Sequence, residues 1–104
     1  MLTLLTVLFK GCGNLLESVI EKRLKKEIEK IGGKALKFVS PGMSGMPDRI
    51  VLMPHGRIVF VELKAPGKKR RKLQEYRAME LKKLGFRVEC IDSIDGVQEF
   101  INGL

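Results

Sequence analysis

Gly45-Met-Pro-Asp-Arg-Ile-Val-Leu-Met53 and Ile58-Val-Phe-Val-Glu-Leu-Lys64 decide how this chain folds. Both contain apolar runs rich in β-branched residues, and Pro54-His-Gly-Arg57 between them has the composition of a hairpin turn. Side chains alternate along a strand, so Glu62 and Lys64 share one face while Leu63 turns away. An antiparallel partner brings the Asp48 end of its strand alongside them. Two neighbouring carboxylates repel each other, and a fold keeps such a pair where something cationic compensates. Oxygen donors favour Mg²⁺ or Mn²⁺ over zinc in that role. Taken singly, a Glu-x-Lys at a strand end and a Gly-Met-Pro-Asp turn are ordinary surface features. Their conjunction in one hairpin points to a site.

Working outward toward the amino terminus, Leu16, Val19, Ile20, Leu24, Ile28 and Ile31 recur at helical spacing between a cap at Asn14 and the stop at Gly32-Gly33. Lys34 to Val39 alternates as a short strand, and Ser40 to Pro47 is loop chemistry with two Gly and two Pro. Toward the carboxyl terminus, Ala65-Pro-Gly67 ends the second hairpin strand. The basic run Lys68-Lys-Arg-Arg-Lys72 then leads into a helix whose apolar positions, Leu73, Tyr76, Leu81 and Leu84, predict its packed face before Gly85 stops it. Phe86 to Ile91 reads as a strand, and Asp92 or Ser93 caps a last short helix carrying Val97, Phe100 and Ile101. The order is α-β-β-β-α-β-α, an α/β fold. The apolar opening Met1 to Phe9 ends at a Gly-rich break, so residues 1–13 read as a leader or arm and 14–104 as the domain.

Length and charge bound the rest. A chain of 104 residues with 44% hydrophobic composition has room for one packed domain and no second. Twenty Lys and Arg against twelve Asp and Glu leave a net charge of +8, which suits a polyanionic partner rather than a small molecule. Cys12 and Cys90 are far apart and match no zinc or disulfide pattern, and Met1 to Phe9 is too short to span a bilayer, so an intracellular protein without a membrane partner is expected. The sole histidine, His55, falls in the predicted turn and reads as a turn residue rather than a general base.

Ser40-Pro-Gly, Gly45-Met-Pro-Asp-Arg-Ile-Val51, Val59-Phe-Val-Glu-Leu-Lys-Ala-Pro-Gly67 and Gln74 together resemble the virus-type replication-repair nuclease family, VRR-NUC, of the PD-(D/E)xK superfamily. The similarity runs from about Glu17 to Phe100. It implies a restriction-endonuclease-like αβββαβ core, a mixed sheet flanked by helices, followed here by a short C-terminal helix. It also implies an Mg²⁺-dependent (or Mn²⁺-dependent) endodeoxyribonuclease in which Asp48 and Glu62 are metal-binding carboxylates and the Leu63 backbone carbonyl completes the coordination. Lys64 corresponds to the lysine that positions or activates the attacking water, and Gln74 to a glutamine that orients water or a catalytic side chain. The family carries a glutamate on its first helix, for which Glu17, Glu21 and Glu27 are the candidates. On a helical wheel Glu17 falls between Leu24 and Ile28, at the edge of the apolar face, whereas Glu21 lies further toward solvent. Glu17 is therefore the expected catalytic acid and a candidate metal ligand; Glu27 projects onto the apolar side as a buried acid.

Lys68, Lys69, Arg70, Arg71 and Lys72 form a positive cluster beside this site, with Lys37 and Arg49, and also Lys34 and Arg57, as further phosphate contacts. No recognition-helix motif or aromatic row supports base readout, so binding directed by DNA structure is expected. Small phage-type proteins of the family are typically symmetric dimers that cleave four-way junctions. By that resemblance the chain is expected to be a homodimer acting on branched DNA such as Holliday junctions, with its interface on the first helix or on the Val97, Phe100 and Ile101 stripe. The alternatives are a catalytically silent nucleic-acid-binding module and a nuclease of the same superfamily acting on flaps or nicks.

Overall fold

A computed structural model describes residues 13–104 of the chain, with side chains from Glu17 onward. The leader or arm expected at 1–13 lies outside the described residues up to Cys12. Helix α1 spans Gly13–Lys30, so Asn14 is already helical and does not cap it as the sequence suggested. Ile20, Leu24 and Ile28, each four residues apart, form its buried stripe. Val19 lies about 100° around the helix from Ile20, and Ile31 falls beyond the last helical residue; both are exposed.

The remaining elements are β1 (Lys34–Lys37), β2 (Arg49–Met53), a 3-10 turn (Pro54–Gly56), β3 (Arg57–Leu63), α2 (Lys72–Lys83), β4 (Arg87–Ile91) and α3 (Ile94–Asn102). His55 sits in that turn with φ 67°, the left-handed conformation of a tight reversal. The strands form one sheet in the order β1-β2-β3-β4. β1 and β2, and β2 and β3, are antiparallel, while β3 and β4 are parallel and joined by the α2 crossover. The element order and the mixed sheet are those expected from the sequence.

Both faces of the sheet are covered, which is why β3 reads as a nearly continuous apolar run. Val51, Met53, Val59, Val61, Leu63 and Ile91 pack on one side with Ile20, Leu24 and Ile28 of α1 and Val97 and Phe100 of α3. Phe60 and Val88 pack on the other with Ala78 and Leu81 of α2, and Ile50 and Ile58 close around them. Phe38 and Phe86 meet the Phe60 ring edge-on at 5.6 and 5.4 Å between centroids. Gly33, where the chain turns from α1 into β1, admits no side chain: a Cβ there would come within 2.7 Å of the Leu52 carbonyl and the Met53 sulfur.

Two packing expectations are corrected. The buried face of α2 is Gln74, Ala78 and Leu81, whereas Leu73, Tyr76 and Leu84 are exposed. The helix turns its most polar buried residue, Gln74, toward the sheet, and the positions four and seven residues later follow it. In α3, Ser93 provides the cap, its Oγ accepting from the Gly96 N–H at 2.9 Å. Val97 and Phe100 point into the core beside α1, so they are not free to form the subunit contact expected of them.

The corrected face of α2 can be checked by chemical denaturation. Leu81→Ala should cost about 2–4 kcal/mol, as a buried truncation does, while Leu84→Ala should stay within about 0.5 kcal/mol of the parent. Equal effects would restore the face read from the sequence.

Candidate active site

The register of the hairpin builds the site. Arg49 pairs with Val61, so continuing the ladder toward the start of β2 sets Asp48 opposite Glu62 and Pro47 opposite Leu63. The Asp48 carbonyl accepts from the Phe38 N–H at 2.9 Å, on the β1 side. Its carboxylate Oδ1 accepts from the Leu63 N–H at 3.0 Å, on the β3 side. The Lys64 N–H donates to the Ile91 carbonyl at 2.9 Å, so backbone groups alternate along β3 and both the N–H and the carbonyl of Leu63 face β2. The residue opposite, Pro47, has no N–H to give. Pro47 therefore leaves the Leu63 carbonyl without a ladder donor at the edge where the two carboxylates meet.

Glu62 is 6% exposed and lies on the α2 face. Gln74 Nε2 donates to Glu62 Oε2 at 3.1 Å, and Gln74 Oε1 accepts from the Arg71 N–H at 2.9 Å. Gln74 thus ties the start of α2 to the carboxylate, which makes it a positioning residue. Lys64 Nζ stands 3.7 Å from the same Oε2. Burial, and then the charge of Asp48, push Glu62 up to about 7, against the opposing pull of Lys64 and Arg70. Burial also raises Asp48, with the negative charge of Glu17 adding to it, while the Leu63 N–H and Lys64 hold it down.

On the opposite face, Arg49 Nη1 donates to the Asp48 carbonyl at 2.8 Å, and the guanidinium forms an ion pair with Glu21 of α1. With its side chain 12% exposed, Arg49 is turned inward rather than presented on the outer basic surface as the sequence reading expected. Burial accordingly lowers its pKa. Glu21 is corrected likewise: it is the partner of Arg49 and not a solvated charge. Glu17, one turn earlier, is half-buried, and its charge is felt at Asp48. Glu27 is half-buried and pairs with Lys30 at 3.2 Å. Lys68, Lys69, Arg71 and Lys72 are exposed, Arg70 is half-buried and close enough to act on Glu62, and Lys37 is exposed on the edge strand opposite Arg49.

The structure brings Asp48, Glu62, Lys64 and Gln74 together. Glu17 stays at their margin: among the described residues, no three acidic, histidine or cysteine side chains lie close enough to hold one ion. The oxygens gathered at the strand edge are those of Asp48, Glu62 and the Leu63 carbonyl, a hard donor set that fits Mg²⁺ or Mn²⁺. The sequence reading missed the Arg49–Glu21 pair and the part played by Pro47. The signal for Pro47 was present, since a proline immediately before a candidate ligand removes one ladder donor from the opposing strand.

A family model for the VRR-NUC domain matches residues 3–95. The chain belongs to the VRR-NUC family. A solved structure of a VRR-NUC domain aligns with a TM-score of 0.78 at 32% identity, covering 84% of this chain and 95% of that one. A protein of Acyrthosiphon pisum secondary endosymbiont phage 1, named "Putative nuclease p44", is 52% identical over 79 residues, which are 76% of this chain and 85% of the phage protein. As a VRR-NUC domain the chain is a nuclease, and nucleic acid is its substrate.

The electrostatics of this VRR-NUC site have a measurable sign. Glu62 ionises near 4.5 when unfolded and near 7 when folded, so across that window the metal-free native state holds more protons and loses stability as pH rises. Between pH 5 and pH 8 in EDTA, wild type should lose on the order of 2 kcal/mol, and Glu62→Gln should show a much flatter profile. A wild-type profile that rises with pH would show that the carboxylate pair is not strained.

Proposed function

We propose that this VRR-NUC protein is a metal-dependent endodeoxyribonuclease that acts on branched DNA, four-way junctions in preference to linear duplex, as a homodimer. One observation carries the chemistry: Asp48 and Glu62 face each other across β2 and β3, Lys64 stands 3.7 Å from Glu62, and the Leu63 carbonyl opens on the same edge. Asp48, Glu62 and the Leu63 carbonyl would hold Mg²⁺ or Mn²⁺, and a bound divalent ion supplies Lewis acidity toward the phosphate and lowers the pKa of water.

The side chains of the protein do the positioning. The Leu63 N–H holds Asp48 through Oδ1, and Arg49 Nη1 stands 3.6 Å from Oδ2, so the carboxylate is fixed from both sides. Gln74 orients Glu62. The Lys64 ammonium is placed to orient the attacking water and to meet charge developing on the phosphate. Glu17 is the first-helix acid of this reading, because Glu21 is occupied by Arg49. Arg70 and the exposed lysines of the 68–72 loop meet the substrate backbone on the α2 side.

The dimer rests on symmetry and size. A four-way junction has approximate two-fold symmetry, and a C₂ dimer presents it with two sites without any added domain. With Val97 and Phe100 in the core, the exposed Tyr76 and Met79 on the outer face of α2 and Leu84 at its C-cap replace them as the subunit contact.

Asp48→Asn, Glu62→Gln and Lys64→Ala should each lower cleavage by at least about 100-fold while leaving DNA affinity within a few-fold, and EDTA should abolish cleavage. Glu17→Ala should cost more activity than Glu21→Ala. Cleavage that persists in EDTA or in any of the first three variants would overturn the chemistry. Sedimentation should give a dimer that Tyr76→Asp/Leu84→Asp converts to monomer, and labelled four-way DNA should be nicked faster than linear duplex. A monomeric wild type cutting both substrates equally would remove the dimer and the junction preference together.

A further inference from the structure

A hollow of about 400 Å³ lies between α1 and the edge strand β1, away from the carboxylates, lined in part by Lys22, Lys25, Lys37, Leu24 and Arg49. Its charge is uneven. Glu21, the acid that lines it, is already neutralised by Arg49, while Lys22, Lys25 and Lys37 are exposed and take part in none of the ion pairs among the described residues. Three uncompensated ammonium groups thus converge on one concave surface. Lys22 and Lys25 sit one turn apart on α1, and Lys37 faces them from β1 opposite Arg49.

The hollow is continuous with the catalytic edge. Arg49 and Glu21 also line the neighbouring depression that contains Glu17 and the Ser18 hydroxyl, and the same Arg49 donates to the Asp48 carbonyl. The way from Asp48 along the side of α1 thus passes Arg49, the Glu21 it neutralises, the Ser18 hydroxyl and the acid Glu17 before it reaches the three lysines. It lies on the α1 side of the sheet, whereas Lys64, Arg70 and the 68–72 loop flank the carboxylates on the α2 side. The narrow basic loop accounts for one approach to the site; this groove supplies the other.

We propose that the α1–β1 groove is a second phosphate-binding track for the DNA substrate, holding the sugar-phosphate backbone that leaves the active site on the α1 side through Lys22, Lys25 and Lys37. This rests on the nuclease reading for the substrate, but the track itself is a binding property and is measurable without cleavage. Arg49 has a structural part in it: paired with Glu21, it forms the inner wall, and the three lysines provide the free charge.

The test measures binding of a labelled linear duplex to the full chain in EDTA, as a function of salt. Each lysine that no longer neutralises a phosphate lowers the log-log salt slope by about 0.9, so Lys22→Gln/Lys25→Gln should reduce it by about 1.8 and adding Lys37→Gln should reduce it further. Lys82→Gln/Lys83→Gln, which removes equal charge at the far end of α2, should leave the slope unchanged. All five positions are exposed, so circular dichroism should show unaltered folds. An unchanged slope in the groove variants, or an equal change in the control, would overturn the track and leave the three lysines as charges that solvate a sheet edge. A wild type that binds with this pattern but cleaves neither linear nor four-way DNA when Mg²⁺ or Mn²⁺ is added would instead overturn the nuclease chemistry.

Discussion

The hydrogen bond from the Leu63 N–H to Asp48 Oδ1 is the constraint on which the site depends. It forms where β2 gives out, just before Arg49, beside a proline that has no N–H for the Leu63 carbonyl. A residue with an N–H at that position would have a donor for the Leu63 carbonyl. With Pro47 in place, the ladder stops one pair short. The Leu63 N–H donates to the Asp48 carboxylate, and the Leu63 carbonyl, with no N–H opposite it, opens at the same edge. Hairpin register thus delivers a carboxylate, and the proline a backbone oxygen without a ladder donor, to the same place beside Glu62.

Holding Glu62 there is unfavourable by itself. The group is buried beside another carboxylate, which is why its pKa rises to about 7. Three features offset that: the Gln74 amide donates to it, the Lys64 ammonium stands close, and β3 is anchored over its length by apolar packing on both faces. Residues Val59 to Leu63 are all buried, so the strained acid sits at the end of the most firmly held strand in the sheet. The remaining imbalance is what a divalent cation would offset in the proposed reading.

The fold was legible in the sequence because its signals are local. Strand alternation, the Gly and Pro breaks and the helical spacing of Ile20, Leu24 and Ile28 each depend on a few neighbours, and the element order followed from them. So did the pairing of Asp48 with Glu62 and Lys64, since hairpin register sets it. The helix faces were less legible where function competed with packing. Tyr76 and Leu84 are apolar yet exposed, because α2 has to turn Gln74 inward, and a count of apolar positions gives no weight to one buried amide. Arg49 differs for a related reason: one residue after a candidate ligand it looks like a phosphate contact, but odd positions of β2 face α1, where Glu21 waits. Pairing across elements distant in sequence is what a pattern of single residues does not encode.

Topology explains why the basic loop lies where it does. β3 and β4 are parallel, so the chain leaves the carboxyl end of β3 and crosses over through α2 before returning. The first residues of that crossover have to start beside Glu62 and Lys64. The Lys68–Lys72 run and the amino-terminal turn of α2, with the positive end of its dipole, are therefore delivered beside the two carboxylates by connectivity alone. The same argument places the other cations on the opposite face. β1 is the edge strand and α1 precedes it, so their lysines line the hollow reached by passing Arg49. A polyanion crossing the strand edge at Asp48 and Glu62 then meets positive charge on both sides of the sheet while the edge itself stays acidic. That alternation would let one short chain attract a phosphate backbone and still keep an acidic place in it for the divalent cation of the proposed mechanism.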